Sequence, residues 1–255
     1  MRFHELGEPS RPHVMLIHGG GSAWWGYLRQ ARVLAERYHV ILPNLDGHGE
    51  ERDRPYRSTA ASAEQLLAYV DRTCGGRLHL LGGVSLGGQI AMEMLARRAE
   101  AAEKAIIDGS LCLPQPRMAA ACMAMVRLFY PLMFSRPACR AQMALLRRIP
   151  SLRFPRELEE YYVRDVSRLP RETLLTMYRT YMAEYRLPDG IRRTRARVMY
   201  WYGERELNCV KESAAWFQKL VSSCTRYEAK GCQHGVLALY RPEEWLRAAL
   251  PFLEA

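Results

Sequence analysis

The stretch Leu80-Leu81-Gly82-Gly83-Val84-Ser85-Leu86-Gly87-Gly88-Gln89-Ile90-Ala91 limits what this chain can fold into more than any other. An apolar strand runs into Gly-x-Ser-x-Gly, and a helical pattern starts at once. Such a sharp strand-to-helix turn exposes the Ser85 hydroxyl at the carboxyl end of a sheet. Gly83 and Gly87 are required on either side, because a side chain there would crowd the turn or the neighbouring strand. The pentapeptide is weak by itself, and its strand–turn–helix setting gives it weight.

The rest of the chain keeps the same rhythm. Apolar runs at His13–Ile17, His39–Leu42, Leu78–Leu81, Lys104–Ile107, Arg197–Tyr202 and Arg226–Ala229 read as strands. Between them Trp25–Arg37, Ala60–Thr73, Leu86–Arg98 and Val210–Val221 carry apolar residues at helical spacing, and Pro242–Leu253 supplies a last helix. Alternation of this kind predicts an α/β fold, a mostly parallel, doubly wound sheet covered by helices. One segment departs from it. Residues 110–196 hold no good buried strand, and prolines at 114, 116, 131, 137, 150, 155, 170 and 188 predict short helices. This divides the chain into a first core part (1–109), a helical insertion (110–196) and a second core part (197–255). The insertion holds seven of the twelve methionines, six of the fourteen tyrosines and 16 arginines against 7 acids. Its Met, Tyr, Leu and Phe suit an apolar pocket, and its arginines suit an anionic group.

Two further loops carry chemistry. Met15-Leu16-Ile17-His18-Gly19-Gly20-Gly21 ends a strand in glycines, which let backbone amides approach an oxyanion closely. The Gly20 amide is one candidate donor, and the Leu86 amide, just after Ser85, is the other. Gly231-Cys232-Gln233-His234-Gly235 follows the last strand. There His234 is the candidate general base, since imidazole accepts and returns a proton near neutrality. The other histidines (4, 13, 18, 39, 48 and 79) read as structural.

Together with Pro43-Asn44-Leu45-Asp46-Gly47-His48-Gly49 and Tyr202-Gly203-Glu204-Arg205-Glu206, these motifs make the sequence resemble an α/β-hydrolase over essentially its whole length. The resemblance implies a helical cap between strands 6 and 7, the place of residues 110–196, and a triad in the order Ser…acid…His. It puts Glu206 in the acid's slot, with Asp108, at the end of the preceding strand, as the alternative. The activity implied is two-step acyl transfer by Ser85, His234 and the acid, with no metal or organic cofactor. The expected substrate is a small molecule, a carboxylic ester with an apolar acyl or alkyl group, lipid-like or bearing an anion. The alternatives are a C–C lyase or hydrolase of the menaquinone-pathway kind acting on an anionic substrate, and a non-catalytic ligand-binding member of the fold.

Composition narrows the classes. The net charge of +10 over 255 residues first suggests nucleic acid, yet nearly all the excess sits in 110–196 and no nucleic-acid-binding motif accompanies it, so none is expected as partner. The most apolar run, Met118–Phe134, is interrupted by Arg127 and Pro131, so no transmembrane segment is expected. The N-terminus lacks the apolar core of a secretion signal, and seven irregularly spaced cysteines form no disulfide framework. A cytoplasmic location is the expectation.

Overall fold

All six expected strands enter one sheet, in a computed structural model that describes residues 1–149 and 154–255. In chain order they are β2 (His13–Ile17), β3 (His39–Asn44), β4 (Leu78–Val84), β5 (Ala102–Asp108), β6 (Arg197–Gly203) and β7 (Cys224–Ala229). A seventh, β1 (Arg2–Leu6), pairs antiparallel with β3 at the edge, giving the order β1-β3-β2-β4-β5-β6-β7. The other pairings are parallel. The sequence reading misses β1 because none of its five residues is buried, so it contributes no core run.

Parallel strands are buried on both faces, so successive residues belong to different cores. Met15, Ile17, Ile41 and Ile107 face one helical layer, which includes α2 (Thr59–Thr73), α3 (Leu86–Arg97) and α8 (Asn208–Leu220). Val14, Leu16, Leu42 and Ile106 face the other, with α1 (Leu28–Leu34), α9 (Val236–Tyr240) and α10 (Pro242–Glu254). The fold is therefore α/β, with a mostly parallel sheet covered on both sides.

Residues 110–196 leave the sheet between β5 and β6, the fifth and sixth strands. The resemblance implies a place between a sixth and a seventh strand; among the seven described strands it lies one earlier. Its helices are α4 (Pro116–Phe134), α5 (Arg136–Leu146), α6 (Arg156–Val166) and α7 (Arg171–Met177), followed by a wide turn of π-helix at Tyr178–Ala183. Proline stands in the first turn of α4 and α5 and directly before α6 and α7, where its missing N–H costs nothing. Pro150 lies outside the described residues.

Pro131 overturns one expectation. It stands inside α4, which runs unbroken for 19 residues and is long and apolar enough, by length and composition alone, to cross a membrane. A proline deprives the carbonyl four residues earlier of its helical partner. Here that carbonyl, Arg127 O, accepts instead from the Arg171 guanidinium of α7 at 3.1 Å. A tertiary bond thus removes the break that local sequence predicts.

The insertion is fastened to the core at α6. Trp25, buried beside α1, stacks with Tyr161 and meets Phe154 and Tyr162 edge-on. Its Nε1–H donates to Asp165 Oδ2 at 2.8 Å, and Arg164 holds the same carboxylate. Asp165→Ala leaves a buried indole N–H without an acceptor. Its expected cost of about 2 kcal/mol should lower Tm by roughly 4–8 °C in thermal melts followed by circular dichroism. Asp165→Asn, which keeps an acceptor oxygen, should cost less.

Candidate active site

Ser85 has φ 55° and ψ −115°, and is the one described non-glycine residue with positive φ. Holding a side-chain-bearing residue there costs on the order of 1–3 kcal/mol, so the surroundings must over-determine it. Three bonds do so. Ser85 N donates to Asp108 O at 2.7 Å, while Ser85 O accepts from Ser110 Oγ at 2.7 Å and from Gln89 N at 3.1 Å. A methyl group on Gly83 would fall 2.4 Å from Gly87 O, and one on Gly87 would fall 2.1 Å from Ile17 O. Neither position admits a side chain, and the serine is turned out at the carboxyl end of β4.

His234 comes to Ser85 from the loop after β7, and Glu206 from the loop after β6. These loops are laced together: Arg205 N donates to Cys232 O at 2.9 Å, and Gly231 N donates to Glu204 Oε2 at 2.8 Å. Gly203 makes this close approach possible, since a Cβ there would meet Cys232 O at 2.4 Å. The result is a continuous chain of hydrogen bonds. Ser85 Oγ lies 3.0 Å from His234 Nε2, and His234 Nδ1 lies 2.9 Å from Glu206 Oε2. Glu206 is buried, and its Oε1 accepts from Leu207 N at 3.0 Å. With Nδ1–H donated to a carboxylate, Nε2 is free to accept the serine proton.

Asp108, the other carboxylate expected near the histidine, makes no hydrogen bond to it. Its side chain is buried and Oδ2 has no partner. Burial pushes its pKa up to about 7; the His234 charge works against this and the Glu206 charge adds to it. For His234 itself, desolvation lowers the pKa, but the hydrogen bond and charge of Glu206, helped by the charge of Asp108, outweigh it and hold the ring above its ordinary value.

Gly20 lines a cavity of about 90 Å³ together with Ser85, His234, Tyr27, Val84 and Leu239. Leu86 opens α3, where the helix offers its amide no internal acceptor, and its side chain reaches toward Gly20. A larger groove, about 830 Å³ between α5 and α6, includes neither Ser85 nor His234. His18 and His48 stand beside the site as neutral supports. Burial, and then for His18 its neighbour His48, lowers them to about 3 and about 4. Leu45 N donates to His18 Nε2 at 3.1 Å, and His18 Nδ1 donates to Gly19 O at 2.8 Å.

Two contacts from the insertion escape the sequence reading. Tyr181, in the π-turn, places its hydroxyl 3.3 Å from Ser85 Oγ, and Met177 packs over Gly20. Since Ser85 gives its proton toward His234, the tyrosine is the donor. Gln89 fixes that segment: its Nε2 donates to Tyr181 O at 3.0 Å and to Leu111 O at 2.9 Å, while Thr59 Oγ1 donates to its Oε1 at 2.7 Å. No local signal marks Tyr181, because an aromatic at helical spacing looks like any core residue.

The site's charge balance makes a direct prediction. NMR titration of the His234 ring should give a pKa above 6.5 in the native protein and a lower one in Glu206→Gln, which removes the main raising charge.

Comparison with known proteins completes the description. A sequence model of the alpha/beta hydrolase family matches residues 14–249. An AB hydrolase superfamily protein of Gibberella zeae is 30% identical over 42% of this chain and 38% of its own length. A pimeloyl-[acyl-carrier protein] methyl ester esterase of Nitrosospira multiformis is 32% identical over 41% of this chain and 40% of its own. The chain thus spans about 40% of the length of these curated relatives. Among solved structures, a thermophilic esterase of Thermogutta terrifontis superposes with TM-score 0.78 at 18% identity, over 99% of this chain and 92% of that one. A hydrolase of Pseudomonas aeruginosa gives 0.80 at 18%, over 99% and 94%. At such identities the likeness speaks for the fold alone. The family match, running from the second strand into the last helix, decides the matter: the chain belongs to the alpha/beta hydrolase family.

Proposed function

We propose that this protein is a serine hydrolase that cleaves a carboxylic ester of a small or lipid-like substrate through Ser85, His234 and Glu206. The observation that carries the reading is the unbroken chain Ser85–His234–Glu206 at 3.0 and 2.9 Å, set on a strained serine. The methyl ester esterase of Nitrosospira multiformis and a lipase of Psychrobacter immobilis among the partial relatives support ester chemistry.

In this mechanism His234 Nε2 takes the Ser85 proton as Oγ bonds to the ester carbonyl carbon. The Gly20 and Leu86 amides hold the resulting oxyanion. His234 then hands the proton to the leaving alkoxide as the C–O bond breaks, leaving an acyl-serine. Water, deprotonated by the same nitrogen, attacks it, and as the bond to Oγ breaks His234 returns the proton to Ser85 and the acid is released. Glu206 stabilises the imidazolium throughout, while Asp108, whose pKa burial raises to about 7 and which makes no hydrogen bond to His234, plays no part in proton transfer. No metal or organic cofactor enters these steps. Tyr181 positions the Ser85 hydroxyl. The cavity of about 90 Å³ has room for only a few waters' worth of volume, so a lipid-like chain needs the space beside Ser85 to widen. The seven free thiols support a reducing, cytoplasmic setting.

Hydrolysis of p-nitrophenyl esters from acetate to palmitate tests the reading. Ser85→Ala should lose essentially all turnover and all labelling by a fluorophosphonate. Because His234 acts as a base, kcat/KM should rise with pH through a midpoint above 6.5. Glu206→Gln should cost on the order of 10²–10⁴ in kcat, whereas Asp108→Asn should stay within about tenfold of native. Tyr181→Phe, losing one long hydrogen bond, should reduce kcat several-fold with KM little changed.

A further inference from the structure

The described residues leave seven large apolar side chains exposed, and five of them lie on α4 and α5. Met125, Leu128, Phe129 and Leu132 follow one another at the i, i+3, i+4, i+7 spacing of a single helix face. Leu128 is 72% exposed and Leu132 74%; Leu145 adds to the patch from α5. Such a ridge, running about 10 Å along the helix, is uncommon on a free surface. Its electrostatic setting is more telling. From Ser110 to Arg156 the chain has eight arginines and not one Asp or Glu. Arg117, Arg127, Arg136, Arg140 and Arg148 are exposed and have no carboxylate partner among the described residues. Across the groove Glu157 and Glu159 are engaged by Arg29, Arg32 and Arg147.

We infer that the exposed face of α4 and α5 docks on an anionic phospholipid surface, with the ridge at the headgroup–acyl boundary and the guanidinium groups among the phosphates. An apolar stripe on helices whose unpaired charges are mostly cationic, Glu160 of α6 being a carboxylate unpaired among the described residues in the neighbouring groove, fits that boundary on both counts. A second copy of the chain fits it poorly, since two such faces would bring like charges together. The ridge is convex and lies in single file, so it presents no pocket for a protein's anchor residue, whereas a lipid boundary requires none. The helix lies on the surface and does not cross it. Its inner face is held in the fold by buried Ala119 and Val126, by Tyr130 Oη donating to Leu169 O at 2.7 Å, and by the Arg171 bond at Arg127 O. That inner face also packs on the Tyr178–Ala183 turn, whose Tyr181 covers Ser85. The inference does not depend on the catalytic reading.

The test is co-sedimentation of the whole protein with sucrose-loaded vesicles of phosphatidylcholine alone or mixed 3:1 with phosphatidylglycerol. Native protein should partition at least tenfold more strongly onto the anionic vesicles, and lose that preference in high salt. Leu128→Asp/Leu132→Asp should cut binding at least tenfold, and Arg127→Gln and Arg140→Gln about fivefold each. Both changes should leave the circular dichroism spectrum, and turnover of a short soluble ester, as in the native protein. Absence of native binding, or binding equal in the Leu128→Asp/Leu132→Asp variant, overturns the inference. So does a dimer in light scattering that the same variant converts to monomer, which would assign the ridge to a second copy.

Discussion

The backbone of Ser85 sits where side chains seldom go, and the surrounding architecture is what keeps it there. Its amide is held by the end of β5 and its carbonyl by Ser110 just beyond. The helix that follows can start only because Gly87 lets it press against β2. Three strand ends and one helix therefore meet at a single residue. The same arrangement explains why the hydrogen-bonded side chains Ser85, His234 and Glu206 come from loops remote in sequence: the parallel sheet delivers every strand's carboxyl end to one rim. The strain is offset by the sheet's register, so the geometry of Ser85 is a property of the whole fold.

Electrostatics then separates residues of like kind. His18, His48 and His234 all lie at this rim. The first two lose their affinity for protons through burial, and His234 gains affinity because a buried glutamate answers its Nδ1. Asp108 and Glu206 differ in their hydrogen-bond partners. Asp108 is buried with an unpartnered oxygen and is driven toward its neutral form, while Glu206 finds the imidazole N–H and a backbone amide. Burial decides the protonation of His18, His48 and Asp108, and a hydrogen-bonded carboxylate overrides it at His234.

Much of this is legible in the chain of letters because it is local. The apolar strands, the glycine-flanked serine and the histidine loop each need only a dozen residues of context. The choice between Asp108 and Glu206 is not local: both follow strand ends, and only the lacing of the β6 and β7 loops turns Glu206 to the histidine. Pro131 misleads for a similar reason, since the partner that makes it harmless, Arg171, lies forty residues away. Tyr181 is silent in sequence, because helical spacing cannot say which aromatic faces a serine. Strand β1 is silent because an edge strand with no buried position carries no hydrophobic signature.

Gln89 ties these layers together in one side chain. Its carboxamide bonds to Leu111 in the loop leaving β5, to Tyr181 in the π-turn and to Thr59 at the start of α2, and it is wholly buried. A carboxamide is the only common side-chain head of this size that offers two donors and an acceptor. Glutamate would turn lone pairs toward two carbonyls, and leucine would leave three polar groups dry. The inserted helices are consequently not an accessory that evolution or an engineer could excise and graft at will. A core stripped of them, or given those of another family member, would carry an unsatisfied amide one helical turn from Ser85, so exchange of this module requires exchange of its anchor as well.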